Sequence, residues 1–402
     1  MQAMELCDYC DSSSSDEEIL LELWNPIKIP AAVYVNDDDD DDVEDIINVI
    51  HPVINGIQRI DRVKITNYLE IVSNYSDKDF LMHFRFNRDA ANKLINLFKI
   101  SSFYTCLKSR IPLSPEKHML TFLWFVGHQS SSYRDVADRF GITLSALFDI
   151  ITRVANFLIS IAPTVIKYPS SNEKKQTSEY FFRTKKFPKV IGAIDGTHIR
   201  IDRPEVDPDS YIHRKQYHSI QLQGLVNENK KFIDVFIGYP GSVHDARVFK
   251  ESALFQSLPD LCSGDYYILG DSAYPLRKEV MVPYKDNGHL TRNQRDFNVK
   301  LSGCRVVVEH AFGELKQRFR QLYFLKLRKI ERIVKVIHAC CVLHNLSNSN
   351  DILMFEDPFE EDSILQDTEN QGDEDNTEIV HNDRYVRRLR DDLCTQISNG
   401  PI

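Results

Sequence analysis

Three acids that stand in otherwise apolar or amphipathic stretches are the residues of this chain best suited to chemistry. Asp195 lies in KVIGAIDGTHIRI (189–201), a run of aliphatic and β-branched residues broken by Gly196, so it reads as a carboxylate on a buried strand. Burying an unpaired carboxylate costs on the order of several kcal/mol, so Asp195 is better explained as a metal ligand than as a packing residue. YYILGDSAYP (266–275) is a second strand-like run, ending in Gly270 and Asp271, and RVVVEHAFGELKQRF (305–319) is a helix-like segment that carries Glu309. Three acids so separated can meet at one edge of a sheet. An all-oxygen donor set suits Mg²⁺ or Mn²⁺. Two such ions about 3.5–4 Å apart can make a nucleophile from water and stabilise both oxygens of a phosphodiester under attack.

The helix carries two glutamates, and its phase separates them. At 100° per residue Val308, Phe312, Leu315, Phe319 and Leu322 form one apolar stripe. Glu309 falls on the flank that holds Arg305, Lys316 and Arg320, a cationic setting suited to phosphate. Glu314 falls on the other flank, four residues before Arg318, where a surface ion pair is expected. Glu309 is therefore the expected ligand, with Arg305, Lys316 and Arg320 as contacts to the nucleic-acid backbone. A fourth acid, Asp245 in GSVHDARVF, reads equally as a metal ligand or as a helix cap. His344 and Asn345, in CVLHN, sit on a mostly apolar helix, where a lone histidine is usually a satisfied core residue. Cys7 and Cys10 form a single pair without the second pair that a zinc site would need.

The elements that would position these acids follow in order. Residues 1–45 and 349–402 read as disordered acidic tails, the second ending in a basic cluster, RYVRRLR (384–390), suited to nuclear entry or to pairing with the acidic tracts. Residues 46–168 read as helical. Ser114, Pro115 and Glu116 mark one helix start, and about 133–159 has a helix-turn-helix pattern with Val136, Ala137, Phe140, Ile142, Leu147 and Ile151 as its small core. Its second helix, 144–159, offers Ser145, Thr152 and Arg153 to DNA, few for a reader of base edges. A polar linker is expected over 169–186, and 187–348 reads as an α/β domain. Its strands are 189–201, 218–229 and 230–242, with a tight turn at Asn227-Glu228-Asn229. Helices are expected over 242–255, 306–327 and 330–348, with a strand over 266–275 between the first two; a mixed sheet flanked by helices follows.

Composition bounds the rest. At 402 residues and 42% hydrophobic content the chain can form two ordinary cores. No run is apolar enough to suggest a membrane span, and the acidic start lacks the features of a secretory signal. The eight cysteines have no repeating spacing, which suits a reducing compartment. Residues 1–45 carry 15 acids and one lysine, net −14, and residues 351–383 carry 13 acids and no lysine or arginine, net −13; against −10 for the whole chain, the remainder is +17. An acidic chain thus contains a basic body, the footprint of a nucleic-acid binder.

AIDGTHI with Asp195, GSVHDARVF with Asp245, LGDSAYPL with Asp271, VEHAFGELKQRF with Glu309, CVLHN, and upstream YRDVADRFGITLSAL together resemble the Harbinger transposase-derived nucleases of the DDE superfamily. The resemblance covers about residues 80–348 and leaves out both acidic tails. It implies an RNase H-like fold, a divalent-metal site at Asp195, Asp271 and Glu309 with Asp245 as a further ligand, and a location in the nucleus, with the cytoplasm also allowed. It also implies DNA as substrate, either transposase-like strand cleavage and transfer or a domesticated role, a Myb-like DNA-binding helper, and compatibility with a homo-oligomer. The alternative is a domesticated, catalytically silent DNA- or chromatin-binding protein, and an RNA-processing nuclease follows from the same fold logic.

Overall fold

The computed structural model describes residues 64–107, 112–129, 132–347, 351 and 383–399. The tail expected over 1–45 lies outside them, as does the second tail up to residue 382, Asp351 excepted. The first half is helical: α1 (Tyr68–Ser73), α2 (Asp77–Phe84), α3 (Arg88–Ile100), α4 (Ser102–Thr105), α5 (Pro115–Gly127), α6 (Tyr133–Arg139), α7 (Leu144–Val165) and α8 (Ser171–Lys185). Ser114 caps α5 as expected, its Oγ accepting from Lys117 N at 3.1 Å with Pro115 in the first helical position. The turn between α6 and α7 needs Gly141, since its φ is +61° and a Cβ there would lie 2.2 Å from the Ile65 carbonyl oxygen. The six residues expected to form the core of this unit are all buried.

Two expectations for this half change. Helix α7 continues past Ile159 to Val165 and is, by length and composition, the one helix among the described residues that could cross a membrane. Here it packs against α5 and against the last helix of the sheet half, with Ile150, Ile151, Val154 and Leu158 buried. The expected linker at 169–186 is instead helix α8. Ser170 and Glu173 form a reciprocal capping box, and Lys174, Thr177 and Phe181 supply a buried stripe too narrow to stand out in so polar a segment.

The second half is built on five strands, β1 (Val190–Arg200), β2 (Ser219–Val226), β3 (Phe232–Pro240), β4 (Tyr267–Leu269) and β5 (Val280–Met281), in the order β3-β2-β1-β4-β5. The first three are antiparallel, and β4 and β5 join in parallel, so the sheet is mixed. Strand β4 covers only Val190 to Ala193 of β1, so from Asp195 onward β1 has no parallel neighbour. Helices α9 (Asp245–Glu251) and α10 (Ala253–Leu261) replace the single helix expected over 242–255. They close a smaller core with Ile191, Ile194, Leu225 and Ile268, while the larger core joins the sheet to the helical half.

Helix α11 spans Arg292–Arg318, not 306–327. A Thr291–Gln294 capping box starts it early, and Phe297, Leu301 and Cys304 extend the buried stripe backward. Past Arg318 the chain turns through a 3₁₀ segment, Arg320–Tyr323, although Phe319, Leu322 and Leu325 remain buried, so apolar spacing alone could not mark the end. Helix α12 (Ile330–Leu346) follows, and α13 (Asp383–Asn399) corrects the expectation of a disordered carboxy terminus. Val386, Leu393, Cys394 and Ile397 of α13 are buried, and the helix packs on α11. Arg390, from the basic cluster, lies 4.0 Å over the Tyr284 ring and donates to the Pro283 carbonyl at 3.2 Å.

Candidate active site

Strand β1 presents Asp195 where its parallel neighbour ends. One carboxylate oxygen accepts from the Gly196 amide at 2.8 Å and the other from Arg305 Nη2, on α11, at 2.7 Å. Arg305 also lies 3.9 Å from Glu309 Oε1, one turn further along α11, and so stands between two of the expected ligands. The Glu309 side chain is 54% exposed, against 15% for Asp195.

Asp245 is the first residue of α9 and not its cap: His244 holds that position, without a side-chain capping bond. The Asp245 carboxylate lies over Gly196, where a Cβ would come within 2.8 Å of Oδ1. Only glycine after Asp195 permits that approach. Gln221, on β2, donates from Nε2 to the same Oδ1. Asp271 follows β4 and folds into a turn in which its Oδ1 accepts from Ala273 N at 3.0 Å. Tyr274, in the smaller core, has a hydroxyl that is buried and without a hydrogen-bond partner. Burial holds that hydroxyl well above its ordinary pKa, with the charges of Asp245, Asp195 and Asp271 acting in the same direction and Arg305 against them.

The donor set can be tested against a divalent cation. Gln221 Oε1, both amide atoms of Gln223 and the Tyr274 hydroxyl are buried without partners. Gln223 is the register partner of Gly196, so Gln221 and Gln223 share the sheet face over which Asp245 lies, while Asp195, one residue away, stands on the opposite face with Arg305. Oxygen-only carboxylate donors fit a hard ion. Among the described residues no three acids, histidines or cysteines lie close enough together to hold one ion, and Arg305 supplies the positive charge at Asp195. The donor types suit such an ion, and Asp195, Asp245, Asp271 and Glu309 are the residues that would hold it, but no three of them lie together here.

Other expected contacts are placed differently. Lys316 donates to Thr197 Oγ1 at 2.8 Å and to the His198 carbonyl at 3.0 Å, so it and Arg305 both bind α11 to β1. Arg320 is half-buried on the 3₁₀ turn. On α7, Ser145 is exposed and Thr152 half-buried, while Arg153 turns inward and donates to His118 Nε2 at 3.2 Å. His118 can accept because its Nδ1 carries the proton shared with the Ser114 carbonyl at 3.0 Å, and burial lowers its pKa. Glu314 does not form a surface pair with Arg318. It pairs with Lys230 at the β2–β3 turn, and Arg318 is buried, donates to the Arg85 carbonyl at 2.9 Å, and has its pKa lowered by burial to about 10.

Tyr274, Gln221 and Gln223 were not among the expected site residues. Two glutamines at alternate positions of a strand, both 2% exposed, are the one sequence feature that could have indicated them.

Residues 194–345 match the family described as DDE superfamily endonuclease, a stretch that begins one residue before Asp195 and ends on Asn345. A human protein named "Putative nuclease HARBI1" is 26% identical over 310 residues, covering 76% of this chain and 85% of that one. Its cattle counterpart is 28% identical over 298 residues, covering 73% and 82%. "Protein ALP1-like" of Arabidopsis thaliana is 27% identical over 251 residues, covering 58% and 61%. No solved structure matches.

Proposed function

Because the chain belongs to the Harbinger transposase-derived nuclease family, we propose that it is a divalent-metal-dependent DNA endonuclease with an RNase H-like catalytic domain over residues 187–348. The observation that carries this reading is that Asp195, Asp245 and Asp271, from three separate segments, all act electrostatically on the buried Tyr274 hydroxyl, with Arg305 bonded to Asp195 and near Glu309. When bound, divalent cations supply activation of the attacking water and stabilisation of the leaving oxygen. The four acids would hold them, Gly196 leaves room for Asp245, and Arg305, beside Glu309, would offer positive charge to a phosphate. The region over about 133–159 is the proposed helix-turn-helix. With Arg153 turned toward His118, this reading leaves phosphate contacts as its main role and sequence selection to a Myb-like helper. The nucleus is the location this reading assigns, with the cytoplasm also allowed.

A second reading, a silent DNA- or chromatin-binding protein, is favoured by one feature, the ion pair that answers Asp195 with Arg305 instead of a metal. Conversion of supercoiled DNA to nicked or linear forms, with Mn²⁺ and with chelator, separates the two. Mn²⁺-dependent conversion that is lost in Asp271→Asn is expected, and DNA binding without any conversion would establish the silent reading instead.

A further inference from the structure

Arg305 lies against two of the four acids at once. Its Nη2 donates to Asp195 Oδ2 at 2.7 Å and lies 3.9 Å from Glu309 Oε1, one turn further along α11. The other Asp195 oxygen accepts from the Gly196 amide. The guanidinium holds Asp195 through one nitrogen, and its Nε is buried without a hydrogen-bond partner. An arginine that serves stability alone commonly grips a carboxylate by two parallel N–H bonds and leaves no buried donor unpaired. This pair is therefore held by charge more than by fit, and a different cation can take over that charge.

A divalent ion on Asp195 needs the oxygen that Nη2 holds. Two cations side by side on one oxygen repel strongly here, because the Asp195 side chain is 15% exposed and that of Arg305 13%, which leaves little water to screen them. Asp195 and Glu309 also cannot close on a common ion while one guanidinium lies against both. The guanidinium has a way out, since Glu309 is exposed and that side of α11 faces solvent.

We propose that Arg305 is an internal competitor for metal: its guanidinium and a divalent cation exclude each other from Asp195, so loading the site moves the guanidinium off that carboxylate, and the charge of Arg305 sets how tightly the free protein binds metal. This rests on the reading of the acids as a metal centre.

The test measures Mn²⁺ binding to the full chain by calorimetry. Arg305→Gln, which keeps an N–H donor and loses the charge, is expected to tighten Mn²⁺ binding by about 10-fold or more, whereas Arg305→Lys, which keeps the charge, should bind as the wild type does. A merely structural role predicts the reverse, since a loosened site binds metal more weakly. In wild-type protein labelled with ¹⁵N-arginine, the Nε–H resonance that is absent from Arg305→Lys should shift on adding Mg²⁺. Unaltered or weaker binding in Arg305→Gln, with binding lost in Asp271→Asn, overturns the competition and leaves the metal reading standing. Equal tightening in Arg305→Lys overturns it as well, because shape and not charge would then be responsible. An Nε–H resonance unmoved at saturating Mg²⁺ overturns the displacement whether or not the Gln variant folds. Wild-type affinity retained in Asp271→Asn overturns the metal reading and the competition with it.

Discussion

Two buried polar clusters lie on the same sheet and differ in how far the fold satisfies them. Where β3 meets α12, the Asn345 side chain acts as a short piece of strand: Oδ1 accepts from Phe232 N at 2.8 Å, and Nδ2 donates to Phe232 O at 2.7 Å and to Val165 O at 3.2 Å. His344 donates from Nε2 to the Lys230 carbonyl at 2.9 Å, and Lys230 pairs with Glu314. At the Asp195–Gly196 step of β1, by contrast, Arg305 on one face of the sheet and Gln221, Gln223 and Tyr274 on the other each keep at least one buried polar atom without a partner. Buried polar groups are normally satisfied, so the first cluster, paired but for His344 Nδ1, is a fastening, and one with orphans on four residues is where an outside partner belongs.

The largest expected effect belongs to the incomplete cluster. Asp271→Asn should lower Mn²⁺-dependent cleavage by about 10³-fold or more, while urea unfolding shifts little, because the exposed turn holding Asp271 contributes little packing. A large loss of stability with cleavage retained would reverse the assignment. Next is Asn345→Ala in the better-satisfied cluster. It leaves both backbone groups of Phe232 without their partner and should cost about 3 kcal/mol in urea unfolding, with metal affinity unchanged in the folded fraction.

The two glutamates of α11 sharpen the contrast. Glu309→Gln should impair cleavage with little change in unfolding. Glu314→Gln, at the partly buried pair with Lys230, should cost about 1–3 kcal/mol of stability and leave cleavage intact. Comparable stability losses in both variants would show that the two flanks of α11 do not differ in role.

The most gradual effect is that of pH. Burial lowers His344 from 6.5 to about 4, with Arg318, Lys231 and Lys230 acting in the same direction, and its Nδ1 has no acceptor for a second proton. The unfolded chain binds that proton near pH 6.5 and the folded chain only near 4. Stability is therefore fully present above about 6.5 and falls as pH drops toward 4, by up to about 3 kcal/mol from this group. His344→Gln should flatten that part of the profile. An unchanged slope between pH 6.5 and 4 would place the titration elsewhere.

The apolar periods of the sequence were sufficient for the strand holding Asp195, the β2–β3 hairpin, the Ser114 cap and the buried stripe of α11, because each depends on neighbours a few residues apart. They also separated Glu309 from Glu314, since helical phase is a local property. The same periods failed for α8, whose buried stripe is one residue wide, and for α13, whose apolar residues are diluted by charge. The end of α11 was equally hidden, because residues beyond it remain buried. The partner of each charge was decided only in three dimensions. Arg305 on Asp195, Lys316 on Thr197, Lys230 on Glu314 and Arg153 on His118 lie 110, 119, 84 and 35 residues apart. Sequence shows which face of an element is buried, and only the packed structure shows which side chain from another element arrives there. For Asp245 the sequence left cap and ligand equally open; the structure gives the cap position to His244 and lays the Asp245 carboxylate over Gly196, whose missing Cβ leaves room for it.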